Sequence, residues 1–109
     1  MDEQKVLNLL HMARKARKVQ MGFDACERSC SGGAAKLLIV AEDLAEKKKT
    51  KLKDIADAYN VKFLVFSSKE KFGQEFNTRD LGVICVEDVN FSIGILKCAN
   101  PLTKKQKKR

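Results

Sequence analysis

The sequence predicts an α/β protein, a three-layer α/β/α sandwich around a mixed, four-stranded sheet. Three observations carry that reading. Segments of helical periodicity alternate with short apolar runs, an order that lays helices on both faces of a sheet. The runs at 36–41, 62–66 and 81–87 are almost unbroken, and a strand without polar alternation needs cover on both sides. A chain of 109 residues that is 44% hydrophobic holds one domain with a real core and leaves no room for a second.

Each element has its own signal. Val6, Leu9, Leu10 and Ala13 recur at helical spacing and predict an amphipathic helix over 3–16. Asp2 and Glu3 suit its positive end, and Arg14, Lys15, Arg17 and Lys18 its negative end. Its phase turns His11, the only histidine, toward solvent. Val19-Gln20-Met21 is a short extended piece. Gly22 opens a second helix over 23–31, with Phe23, Cys26 and Cys30 inward and Asp24, Ala25 and Arg28 outward. Ser31-Gly32-Gly33 ends it.

The run at 36–41 is a central strand. Asp43 and Glu46 then have capping-box spacing before a helix whose buried face is Leu52, Ile55, Ala56 and Tyr59. Lys47, Lys48, Lys49, Lys51 and Lys53 surround its start and outer side. The run at 62–66 completes a right-handed βαβ crossover. Ser67 and Glu70 form a second capping box for a short helix ending near Phe76. Asn77-Thr78-Arg79-Asp80 is a loop before the last strand, 81–87. A final helix over 91–98 is stopped by Asn100-Pro101. Five cations and no apolar residue lie in 104–109, so the domain is expected to span 1–100 and a disordered basic tail 101–109.

Composition narrows the function classes. The net charge is +8 and the isoelectric point about 9.5, and a positive excess remains when the tail is set aside. A basic small domain suggests a polyanion partner, and colloidal solubility explains the same charge. No apolar run approaches the ~20 residues that span a bilayer. Met1-Asp2-Glu3-Gln4 lacks the basic-then-apolar start of a secretory signal, so the expected compartment is the cytoplasm. Cys26 and Cys30 are one helical turn apart, and Cys85 lies inside an apolar run. These positions suit buried thiols better than a metal or redox site. Gly32-Gly33 is followed by a strand, which excludes a P-loop. Glu42 and Asp43 follow the first central strand, where α/β ligand sites often form, but Asp43 has the position of a helix cap. No nucleophile has a recognisable base near it. The expectation is no enzyme, no cofactor and no metal.

Gly22 is the most informative position. It joins an extended piece to a helix start, where open N–H groups and the helix dipole favour an anion. Arg17 and Lys18 precede it, Arg28 follows one turn inside, and Asp24 offers carboxylate oxygens that can accept from base amino groups. A plainer alternative makes Gly22 a turn residue and Asp24–Arg28 a surface ion pair.

Three stretches carry a resemblance: Met12-Ala13-Arg14-Lys15-Ala16-Arg17-Lys18-Val19-Gln20-Met21-Gly22, Leu37-Leu38-Ile39-Val40-Ala41-Glu42-Asp43, and 81–91 from Leu81 to Phe91. In this order they resemble the ribosomal-protein superfamily that binds kink-turn RNA (large-subunit proteins "seven-Ae" and "thirty-e" and relatives), in its bacterial YlxQ-like branch. The resemblance covers about 5–98. It implies the α/β/α fold and a non-catalytic RNA-binding protein, with ribosomal or kink-turn-like structured RNA as partner and ribosomal or translation proteins as further partners. The family reads RNA through the start of the second helix, G-x-N-E-x-x-K, here Gly22-Phe23-Asp24-Ala25-Cys26-Glu27-Arg28. Gly22 matches, Arg28 keeps the charge, Asp24 keeps acceptors, and Ala25 loses the carboxylate that would meet a guanine. Arg17 stands where the family usually has glycine. The second element is the loop before the last strand, here Asn77, Thr78, Arg79 and Asp80. The resemblance implies RNA contacts by Gly22, Phe23, Asp24, Ala25, Arg28, Asn77, Thr78 and Arg79, with phosphate contacts from Lys15, Arg17, Lys18 and Lys36. An adaptor on the same fold that has lost RNA binding is the alternative.

Overall fold

The computed structural model describes residues 2–78 and 81–107, with side chains over 3–78 and 81–99. The element order is α1 (Asp2–Lys15), β1 (Val19–Met21), α2 (Phe23–Ser31), β2 (Leu37–Val40), α3 (Glu46–Ala58), β3 (Lys62–Val65), α4 (Lys69–Phe76), β4 (Val83–Val86) and α5 (Val89–Lys107). The strands form one mixed sheet in the order β1-β4-β2-β3. β2 and β3 are parallel across α3, while β4 is antiparallel to both β1 and β2. Among the described residues no helix is long and apolar enough to cross a membrane.

The two central strands are buried at every position, as their unbroken apolar sequence requires. Alternate residues serve different layers. Leu37, Ile39, Ile84 and Val86 pack with Val6, Leu7 and Leu10 of α1, Phe72 and Phe76 of α4, and Ile95 of α5. Leu38, Val40, Val83 and Cys85 pack with Cys26 and Cys30 of α2 and Leu52 and Ala56 of α3. The result is the expected α/β/α sandwich.

Several local expectations are corrected. The N-cap of α3 is Ala45, and no side chain caps it. The carboxylate of Asp43 instead accepts from the Lys69 N–H at the start of α4, at 2.9 Å. The cap of α4 is Ser68, which accepts from Lys71 N–H, one residue later than the Ser67 box. Tyr59 closes α3 half exposed, although its spacing placed it in the core. His11 is half-buried: its Nε2 lies 2.9 Å from Glu75 Oε1 and its ring 4.6 Å from that of Phe76. Helical phase within α1 could not show that α4 would come to rest against it. Finally, α5 passes through Pro101 to Lys107, taking in most of the stretch expected as a tail. Pro101 forfeits one N–H, but Leu102 and the following Lys and Gln residues favour helix. Lys108 and Arg109 lie outside the described residues.

Strand direction gives the sheet two distinct ends. At one, Gly22 N–H donates to Val83 O (3.0 Å), Ala41 N–H to Gly82 O (2.9 Å) and Glu42 N–H to Ser67 O (2.9 Å). At the other, Glu87 N–H donates to Lys18 O (2.7 Å), Lys36 N–H to Val86 O (2.8 Å) and Lys62 N–H to Lys36 O (3.4 Å).

Two stability predictions follow from the packing. Arg17 ends the turn after α1 at φ 62, the left-handed conformation that penalises any residue with a Cβ. Arg17→Gly should raise unfolding free energy by about 0.5–1 kcal/mol, after the entropic cost of the glycine, in urea titration. The second concerns the thiols, all four of which are free. Burial pushes Cys30 from 9 up to about 11, and the neighbouring Cys85 thiol, then burial, raises Cys26 while Cys85 itself is lowered. A thiol raised in the folded state stabilises fully below its unfolded value and loses that contribution as pH climbs through the folded one. Stability should therefore decline between pH 9 and about 11, and Cys30→Ala should make that decline shallower.

Candidate nucleic-acid interface

β1 is only three residues long, and its pairing with β4 carries the chain directly into Gly22. There the backbone takes φ 97 and ψ 157 and α2 begins with no side-chain cap. The Gly22 carbonyl accepts from Cys26 N–H at 3.0 Å, while the N–H groups of the first turn before it point out of the helix end. A Cβ added at Gly22 would have nothing within 4 Å. The glycine is thus demanded by backbone conformation and leaves open space beside an uncapped, positively polarised helix start.

The residues around this start come from three elements. Asp24 and Arg28 are exposed on α2, and Phe23, Ala25 and Glu27 are half-buried. Among the described residues no ion pair joins Asp24 to Arg28, so the plain surface-pair alternative does not form and both groups face solvent uncommitted. From α3, the Lys51 ammonium stands 5.6 Å from the centroid of the Phe23 ring. Lys47 and Lys48 are exposed in the preceding turn, and Lys49 pairs with Glu46 at 3.4 Å. From the third side comes the turn after α4. Asn77 takes φ 54 as its left-handed cap, and Thr78 N–H donates to Gly73 O at 3.0 Å. A Cβ at Gly73 would lie 2.6 Å from Thr78 O, so the turn is tight because residue 73 is glycine. It leads through Leu81-Gly82 to Val83, the residue bonded to Gly22. Arg79 and Asp80 lie outside the described residues.

The sequence-derived set is therefore divided. Gly22, Phe23, Asp24 and Ala25 gather at one end of the sheet, toward which Asn77 and Thr78 lead. Arg28 lies farther along α2, and the chain of α2 continues to the opposite end. Lys15, Arg17, Lys18 and Lys36 are exposed but belong to that opposite end, since Lys18 and Lys36 bond Glu87 and Val86. Four residues of strand, roughly 13 Å, separate Lys18 from Gly22. The phosphate-contact set expected around Gly22 is thus not assembled there. The cations beside Gly22 are those of α3, above all Lys51. Their signal was the lysine run directly after the first central strand, but placing it beside α2 required the direction of β2. No group of three metal-ligating side chains forms among the described residues.

Comparison with known proteins shows the family and the fold. Residues 4–95 match the model of the family described as "Ribosomal protein L7Ae/L30e/S12e/Gadd45 family". The RNA-binding protein YlxQ of Bacillus subtilis (strain 168) is 29% identical over 84 residues, covering 77% of this chain and 84% of that protein. A solved structure described as a protein with unknown function from Bacillus halodurans C superposes with a TM-score of 0.82 at 26% identity. It covers 88% of this chain and 97% of its own. The Giardia lamblia 15.5kD RNA binding protein shares the fold, with a TM-score of 0.74 at 17% identity over 94% of this chain and 88% of its own.

The unusual backbone at Gly22 makes its own prediction. Gly22→Ala and Gly22→Val should each cost about 1–2 kcal/mol in urea denaturation, because φ is positive while the space is open. Valine should cost the more of the two, because β-branching adds to the backbone penalty at positive φ.

Proposed function

The chain belongs to the ribosomal protein L7Ae/L30e/S12e/Gadd45 family, and on that premise we propose that it is a non-catalytic, cytoplasmic RNA-binding protein for structured, kink-turn-like RNA. One observation carries the reading: the uncapped start of α2 at Gly22, open on its outer side and flanked by Lys51. Sheared base pairs and their phosphates meet such a surface well. Open N–H groups and cations take phosphate oxygens, and a carboxylate takes base amino and imino protons.

The roles divide accordingly. Gly22 lets the RNA backbone approach. Asp24 accepts from a base edge, Arg28 makes a charge-assisted contact to the backbone, and Phe23 holds Lys51 in place by cation–π attraction. Ala25 contributes only contact, having no acceptor. Asn77, Thr78 and Arg79 pack on the neighbouring strand. Lys47, Lys48 and Lys51 of α3 reach flanking phosphates, and the cations of 104–109 add attraction that is blind to sequence. The chain needs no cofactor. Ribosomal or translation proteins are its natural neighbours.

Titration of wild type and variants against a kink-turn and a straight duplex, at two salt concentrations, tests this. Arg28→Ala should weaken kink-turn binding by about 1–3 kcal/mol with the fold intact. Gly22→Val should weaken it further. Ala25→Glu should strengthen it by restoring the missing acceptor. Deleting 104–109 should weaken both RNAs alike. If no variant changes the preference for bent over straight RNA, this surface is not the reader.

A further inference from the structure

Three of the four exposed large apolar side chains among the described residues fall in one place. Tyr59, Val89 and Ile93 are 51%, 53% and 52% exposed, and all three line a groove of about 380 Å³. The groove lies between the end of α3 and the first two turns of α5, at the end of the sheet opposite Gly22. Val89 and Ile93 are one turn apart on α5 and so form one apolar edge. Tyr59 forms the facing edge. Lys36 and Lys62 stand in the same wall, adjacent through the bond from Lys62 N–H to Lys36 O. Both are exposed, and neither has an ion-pair partner among the described residues. Ser92, which also lines the groove and is 95% buried, carries a hydroxyl without a hydrogen-bond partner.

We propose that this groove binds an acidic segment of a protein partner. A large apolar side chain enters between Tyr59 and Ile93, and flanking carboxylates pair with Lys36 and Lys62. The unopposed cations set the sign of the partner, and the aliphatic edge sets its anchor. A nucleic acid suits the groove less well. The helix end beside it is already closed, because Asp88 accepts from Phe91 N–H at 2.9 Å, and Val89 and Ile93 offer phosphates nothing. The site is independent of the RNA reading: it lies across the sheet from Gly22, so both surfaces can be engaged together.

The test uses a short fluorescent peptide of aspartate and glutamate with a central phenylalanine–leucine pair. The same peptide with central glycines is the control, and single-stranded oligouridylate is the competitor. The apolar-centred peptide should bind at least about ten-fold more tightly than the control, and Ile93→Asp should remove that preference. Lys36→Glu combined with Lys62→Glu should weaken the peptide by about ten-fold or more. Ile93→Asp should leave the circular dichroism and the kink-turn titration as in wild type, which separates failure here from failure of the RNA reading. Absence of binding, equal binding of the two peptides, or displacement of the peptide by oligouridylate overturns the proposal.

Discussion

The antiparallel pairing of β4 with β1 and β2 is the constraint on which the rest of the molecule depends. It makes β4 a strand paired along both edges, and the helical layers on the two faces bury it at every position. It also sets direction. Because β4 runs against its neighbours, its beginning meets the ends of β1 and β2, and the bond from Gly22 N–H to Val83 O closes that junction. The helix start at Gly22 and the chain arriving from α4 are brought together by this one choice of strand direction.

The same pairing separates two surfaces of different character. At the Gly22 end the chain offers backbone polarity and cations around an open helix start. At the opposite end it offers an apolar-edged groove with two uncommitted lysines. The positive net charge is therefore a poor guide by itself. The cations occupy both ends and the outer side of α3, and only the sheet decides which of them act together. Arg17 and Lys18 are near Gly22 in sequence, yet β1 carries the chain away from them by a strand's length.

Left-handed backbone positions mark the joints of the fold. Arg17, Asn60, Ser67 and Asn77 all have positive φ without being glycine, and each ends or links an element. Asn suits such a position because its short polar side chain can bond locally. Arg17 has no such advantage, so the turn there is strained by a residue whose charge is exposed. Gly73 and Gly82 answer a different need. A Cβ at Gly82 would lie 2.6 Å from Leu44 Cδ1, so a side chain there would require the buried Leu44 side chain to shift.

The sequence by itself determined the layers, the order of elements and the place of Gly22. These rest on local physics: apolar periodicity, unbroken strand runs and glycine at a left-handed joint are all written within a few residues. Tertiary structure alone decided what depends on contacts distant in the chain. Asp43 looked like the cap of its own helix but serves the start of α4, because β2 and β3 end side by side. Tyr59 looked buried by spacing but is the residue that closes α3, and there it stays half exposed. His11 looked solvated until α4 supplied Glu75 and Phe76. Lys51 became part of the site, and Lys36 left it, because strand direction is a property of the whole sheet and no window of sequence contains it.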